Sequence, residues 1–336
     1  MHASIAVVGD ELWSEPLEMV LDPAKLVEPG NWIVLNTFEG EFKAVRFNNR
    51  TKYTGELAIN WDPVTNWRSS MDATQYQLGV LAIQEEIRNG RVYQVNLCRV
   101  LSAETVGRPN AAGLYALLRQ HHHAKYLGFI NIEPGLFDDE GIWFVTASPE
   151  LFLFRNGSVL KSSPIKGTAV DLKSILEKDR SENIMITDMV RNDLGAISKT
   201  GSVKVDELLK PENYPGLVQL VSTVSSEIGA NIGWPEIFKQ LFPAASITGA
   251  PRSTALQVIN EIEKGSRNAY CGCFGYINHD QAQLSVNIRS FEYRNKQLKF
   301  GTGAGITSGS DPAGEWAETE LKASKLLKLA AMKVGD

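Results

Sequence analysis

The residues best suited to chemistry in this chain are one lysine, two pairs of acids and one arginine in a strand pattern. Lys166 lies in Pro164-Ile165-Lys166-Gly167-Thr168, between a proline-started bend and a Gly-Thr pair. A lysine held there is either a point charge that grips an anion or an amine nucleophile. Asp179 and Glu182 are three residues apart in a helical pattern, as are Glu315 and Glu318 near the C-terminus, so each pair projects from one helix face. A solvated face explains either pair alone. Should the pairs meet, the acids repel, and a hard cation such as Mg2+, which takes a few carboxylates and keeps water, relieves them. Arg289 follows Val286, Asn287 and Ile288 in an apolar strand pattern. It needs a partner there, and a substrate carboxylate would serve.

Gly301-Thr302-Gly303-Ala304-Gly305 ends a predicted strand but fails as a dinucleotide fingerprint, because Ile306 stands where the third glycine belongs. A glycine turn whose bare N–H groups meet a carboxylate is expected instead. Gly249-Ala250-Pro251-Arg252 precedes a helix and could set N–H groups and Arg252 against an anion, with a plain surface charge as the simpler alternative.

Composition narrows the field. The net charge of -5, with no basic tract, gives no reason to expect nucleic acid or an anionic membrane as partner. No apolar stretch approaches the ~20 residues that span a bilayer. Cys98, Cys271 and Cys273 make neither a disulfide framework nor a zinc site, which suits a reducing cytoplasm. His121-His122-His123 cannot converge on one metal, since neighbours on a helix point about 100° apart, and the run reads as a solvated loop or helix end. With so few histidines, carboxylates, lysine, arginine and a hard cation must carry any catalysis.

These groups have to be positioned by helices over 71–89, 171–194, 234–242, 251–263 and 311 to about 332. Strands are expected over 93–100, 126–130, 142–146, 151–154, 271–277, 284–291 and 297–303. That irregular order predicts an α+β fold, a single large domain of antiparallel β-sheets flanked by helices. Residues 1–75 form its β-rich N-terminal portion and 76–336 its catalytic core.

Taken together the segments resemble the chorismate-utilising enzymes, the family of anthranilate synthase component I, aminodeoxychorismate synthase component I and the isochorismate and salicylate synthases. The resemblance rests on Tyr93-Gln94-Val95-Asn96-Leu97, Ser148-Pro149-Glu150, the Lys166 segment, 188–195, Thr248 to Arg252, Tyr270, Gly275-Tyr276, Ile288-Arg289, Gly303-Ala304-Gly305 and Glu318-Thr319 with Lys322. It implies the fold of anthranilate synthase component I. Lysine as third residue of P-I-x-G-T is the aminodeoxychorismate synthase pattern, and alanine the anthranilate synthase one. By this resemblance Lys166 attacks C2 of chorismate, Glu150 protonates the departing C4 hydroxyl, and ammonia then adds at C4. Glu182 and Glu318 bind Mg2+, assisted by Asp179 and Glu315. Tyr270, Arg289, Gly303 and Gly305 hold the ring carboxylate, and Thr248 and Lys322 line the substrate site. Ammonia comes from a separate glutamine amidotransferase subunit.

The sequence departs from the family in several places. Gln219 replaces a family histidine and cannot act as an acid or base near neutrality, which fits a product that keeps its enolpyruvyl group. Arg252 replaces a lysine, Asp179 a longer glutamate, and the N-terminal part is short. Anthranilate synthesis, or a catalytically silent chorismate-binding subunit, are the alternatives. A nucleophilic lysine has its own requirement. Free amines titrate near ~10.4, so half-neutrality near pH ~7.4 takes ~4 kcal/mol from burial or nearby positive charge. Lys166 is therefore expected buried and beside the Mg2+ site.

Overall fold

Among the described residues, antiparallel pairing links eighteen strands into one continuous ladder. The computed structural model describes residues 3–26, 30–55, 57, 60–169, 171–214 and 217–333. Its strands are β1 (Ile5–Val8), β2 (Glu11–Val20), β3 (Asn31–Asn36), β4 (Phe42–Lys52), β5 (Arg68–Ser69), β6 (Gln94–Glu104), β7 (Tyr126–Ile132), β8 (Ile142–Ser148), β9 (Leu151–Asn156), β10 (Val159–Ser163), β11 (Ile165–Ala169), β12 (Lys204–Tyr214), β13 (Leu217–Glu227), β14 (Gly249–Ala250), β15 (Cys273–Asn278), β16 (Gln281–Val286), β17 (Ser290–Arg294) and β18 (Gln297–Ile306). The helices are α1 (Ala73–Arg88), α2 (Ala111–His121), α3 (Glu177–Gly195), α4 (Trp234–Leu241), α5 (Arg252–Ile262) and α6 (Pro312–Ala330).

From β6 the ladder runs through β18, β17, β8, β7, β1, β2, β4, β3, β15, β16, β9, β10 and β13 to β12. β11 continues the β10 edge along β13. The ladder folds back on itself, so that Phe274 of β15 meets Phe144 of β8 with ring centroids 5.2 Å apart. Trp13, Ile33, Val45 and Phe47 fill that interior. A larger core lies under α1, α3, α4 and α5, where Ile83, Ile186, Ile237 and Val258 meet Val95, Leu97 and Leu284. Leu114, Tyr115 and Leu118 of α2 pack with Phe300 and with Leu326 of α6. Each large apolar side chain so buried stabilises the fold by about 1.5–3 kcal/mol.

Local signals set the helix starts. Asp72 Oδ1 accepts the Gln75 amide at 2.8 Å to open α1, and Asp311 Oδ2 accepts that of Gly314 at 2.7 Å before α6, with Pro312 in the first turn. The α+β antiparallel expectation holds. Three details differ. The 171–194 helix is a short 3-10 turn, Leu172–Ser174, followed by α3. The 284–291 strand breaks between β16 and β17, where Arg289 takes a left-handed φ of 55°. Helix α2, strands β10 and β11 and the β12–β13 hairpin lie outside the expected elements. Among the described residues no helix is long and apolar enough to cross a membrane.

Candidate active site

Lys166 stands on β11 opposite Leu220 of β13, and the register slips immediately after it. Gly167 sits in that slip with φ +71°, and a Cβ there would lie 2.8 Å from Asp179 Cβ. Glycine is what lets the first turn of α3 close on the strand. Gly305 plays the matching part across the site. A Cβ on it would overlap Gln94 Nε2 and stand 3.1 Å from Lys166 Nζ. A side chain at 301 would overlap the Tyr270 ring, and one at 303 would lie 2.6 Å from Leu97 O. Residues 301–305 are thus strand, paired with β6 from Gly301↔Val100 to Gly305↔Asn96, rather than the turn expected. Their glycines let neighbouring groups lie flat on β18.

Glu150, between β8 and β9, is 4% exposed. Its amide donates to Ser148 Oγ at 3.2 Å, and its carbonyl accepts the Val286 amide at 3.0 Å. Burial pushes its carboxyl up to about 7, against the pull of the Lys166 and Arg289 charges. An acid poised there, beside an amine, can protonate a leaving oxygen. Arg289 is half-buried, and its carbonyl accepts the Ala147 amide at 3.0 Å. The histidine run is not wholly solvated: His122 is buried, and burial, followed by the charges of Arg289 and Lys325, holds its imidazole down to about 4.

Helices α3 and α6 bring Glu182, Glu315 and Glu318 into one neighbourhood. Lys178 Nζ lies 2.9 Å from Glu315 Oε1 and 3.6 Å from Glu182 Oε1. Lys322 Nζ lies 2.6 Å from Glu318 Oε1 and donates to the Gly303 carbonyl at 3.0 Å. Burial raises the Glu182 carboxyl against the opposing charges of Lys166 and Lys178, and Glu315 and Glu318 add to the rise. Burial also acts on Glu318, yet Lys322, then Lys166 and Lys178, hold it below the ordinary carboxylate value. The charge of Lys166 is therefore felt at Glu150, Glu182 and Glu318 alike. Its side chain is half-buried, not enclosed as a nucleophile was expected to be.

Asp179 is turned elsewhere: its Oδ2 accepts the Leu176 amide at 3.0 Å and caps its own helix. Among the described residues no three carboxylate, histidine or cysteine side chains stand close enough, as placed, to hold one ion. The donors are nonetheless carboxylate oxygens that require positive charge, which Lys178 and Lys322 supply. That chemistry fits a hard divalent cation.

Other expected residues serve the scaffold as well. The Thr248 hydroxyl donates to the Ala244 carbonyl at 3.0 Å. The Tyr270 ring lies against Gly301, and burial carries its phenol well above the ordinary value. Arg252 pairs with Asp193 and donates to the Gln240 carbonyl at 2.6 Å, tying α5 to α3 and α4 instead of facing a free anion. Two buried amides went unmarked. Gln94 Oε1 and both amide atoms of Asn287 have no hydrogen-bond partner among the described residues. Buried amides left without a partner require one, and a bound polar group or an ordered water would supply it. Both lie in segments that had been singled out, Gln94 in Tyr93-Gln94-Val95 and Asn287 two residues before Arg289.

Residues 43–328 match the sequence profile of the family described as chorismate binding enzyme. The chain belongs to that family. This chorismate binding enzyme is 34% identical over 277 residues to aminodeoxychorismate synthase component 1 of Escherichia coli (strain K12), covering 79% of the chain and 59% of the relative. It is 32% identical over 277 residues to anthranilate synthase component 1 of Aquifex aeolicus, covering 78% and 54%. The chain thus spans under two thirds of the length of either relative. Its fold matches the crystal structure of anthranilate synthase component I from Streptococcus pneumoniae with a TM-score of 0.81 at 19% identity, covering 96% of this chain and 92% of that one.

Proposed function

We propose that this chorismate binding enzyme acts as an aminodeoxychorismate synthase component 1, turning chorismate and ammonia into 4-amino-4-deoxychorismate and water in the cytoplasm. The observation that carries the reading is Lys166, the third residue of P-I-K-G-T, with its Nζ over Gly305 and its charge felt at Glu150. The neutral amine adds to C2, the ring double bonds shift, and the C4–O bond breaks as Glu150 protonates the departing oxygen. Ammonia then forms the C4–N bond, the double bonds shift back, and the C2–N bond breaks to return the amine to Lys166. Arg289, Tyr270, Gly303, Gly305, Thr248 and Lys322 form the substrate site. Glu182, Glu315 and Glu318 would hold Mg2+, which when bound supplies positive charge opposite a substrate carboxylate, while Asp179 caps the start of α3. Gln219, which cannot shuttle a proton, leaves the enolpyruvyl group in place. A separate glutamine amidotransferase subunit supplies the ammonia.

The similarity to an anthranilate synthase component 1 favours a second reading, in which pyruvate is lost and anthranilate forms. Chromatography of the product from chorismate, Mg2+ and ammonium salt decides between them. The 4-amino product supports the first reading and anthranilate the second. Substrate binding without turnover would leave a chorismate-binding subunit.

A further inference from the structure

Among the described residues one ion pair joins α3 to α6, the pair Lys178–Glu315. Glu315 is only 4% exposed, so its charge has little access to water and takes compensation from that ammonium. The same Nζ reaches Glu182, and its charge is also felt at Glu318. One lysine head therefore offsets charge on acids of both helices, and among the described residues no three acids, as placed, are disposed to share an ion. The Lys178 side chain is itself 41% exposed, on a flexible stem that can swing into solvent. On α6 itself Lys322 pairs with Glu318, its neighbour one turn earlier.

We propose that Lys178 is a tethered cation standing in for the divalent ion, and that it must leave Glu315 and Glu182 before the ion can bind. This rests on reading those acids as metal ligands. An ion that enters breaks the Lys178 pairs, so part of its binding free energy goes into the exchange of one cation for another. Lys178 thereby sets the affinity for the ion and prevents the apo enzyme from holding Glu315 and Glu182 without a paired cation. Exchange also frees the first turn of α3, where Asp179 rests against Gly167 next to Lys166.

The test is calorimetric titration of Mg2+ into the substrate-free full chain, with thermal melts in the absence and presence of the ion. Lys178→Met should bind Mg2+ about tenfold more tightly than the parent, a gain of about 1.4 kcal/mol. Its ion-free form should melt below the parent, and saturating Mg2+ should raise its melting temperature by more than it raises the parent's. Lys178→Arg, which keeps a cation on the carboxylates, should not show the tighter binding. A Lys178→Met affinity within twofold of the parent, or weaker, overturns the proposal while leaving the metal site intact. If neither parent nor variant binds Mg2+, the metal reading of the acids fails and this inference fails with it.

Discussion

Lys166 Nζ stands 3.1 Å from the point where a Cβ of Gly305 would be, so the amine rests against bare strand. Gln94 shares that space. Gly305→Ala should therefore displace both groups from the face of β18 without disturbing its pairing with β6. An ångström-scale shift of a reacting group commonly costs about 10²-fold in rate. We expect kcat to fall by about that factor with little change in melting temperature. Steady-state kinetics beside a thermal melt checks this, and an unimpaired kcat would mean that the strand's bareness serves packing alone.

Removal of the amine itself should be more severe. Lys166→Ala is expected to abolish amination at C4 while the chain stays folded, because β11 and β13 pair through backbone. Lys166→Arg should be equally inactive, since a guanidinium does not lose its proton near neutrality. Product chromatography reads both, and undiminished 4-amino product from either variant removes the nucleophile assignment.

Glu150 predicts a pH effect in both activity and stability. As the proton donor it must be protonated, so activity should decline as pH rises through about 7. The stability sign follows from the same raised value. The folded state holds the proton that the unfolded chain releases near the ordinary glutamate value, so this group's stabilising contribution is full at low pH and lost as pH rises through about 7. Glu150→Gln, which cannot ionise, should be slower at every pH yet more stable than the parent by ~3 kcal/mol at pH ~8. Denaturant melts across that pH span would expose an error here as equal slopes in the two proteins.

Legibility in the sequence followed the range of the interaction. The helical spacing of Glu315 and Glu318, the cap at Asp311 and the strand pattern of β6 are local, and each was readable from neighbours in the chain. The glycines of 301–305 were read locally as a turn. What fixes them is remote: the Tyr270 ring, the Leu97 carbonyl, Gln94 and Lys166 come from other elements. The same holds for Lys178, whose role depends on α6 lying across from α3. Arg252 shows the converse error, since a local helix-start arginine looked available to an anion while Asp193, from the distant end of α3, had already claimed it. The half-buried state of Lys166 is a property of the assembled sheet that no spacing encodes.

Arg267 offers a prediction about the scaffold that carries the site. It is 2% exposed, pairs with Glu263 at 2.6 Å, and donates to the carbonyls of Ile247 at 2.9 Å and Asn96 at 2.7 Å. Glu263 Oε1 in turn accepts the Cys98 amide at 2.8 Å, so the pair clamps β6 to the segment before Thr248. Removing one partner leaves the other buried without compensation, which costs about 3–5 kcal/mol. Arg267→Met and Glu263→Met should each lose that much by chemical denaturation. The double variant should lose less than the sum, since it leaves no lone charge behind. Simple additivity of the two losses would mean that each residue acts through its own backbone contacts and that the ion pair contributes nothing of its own.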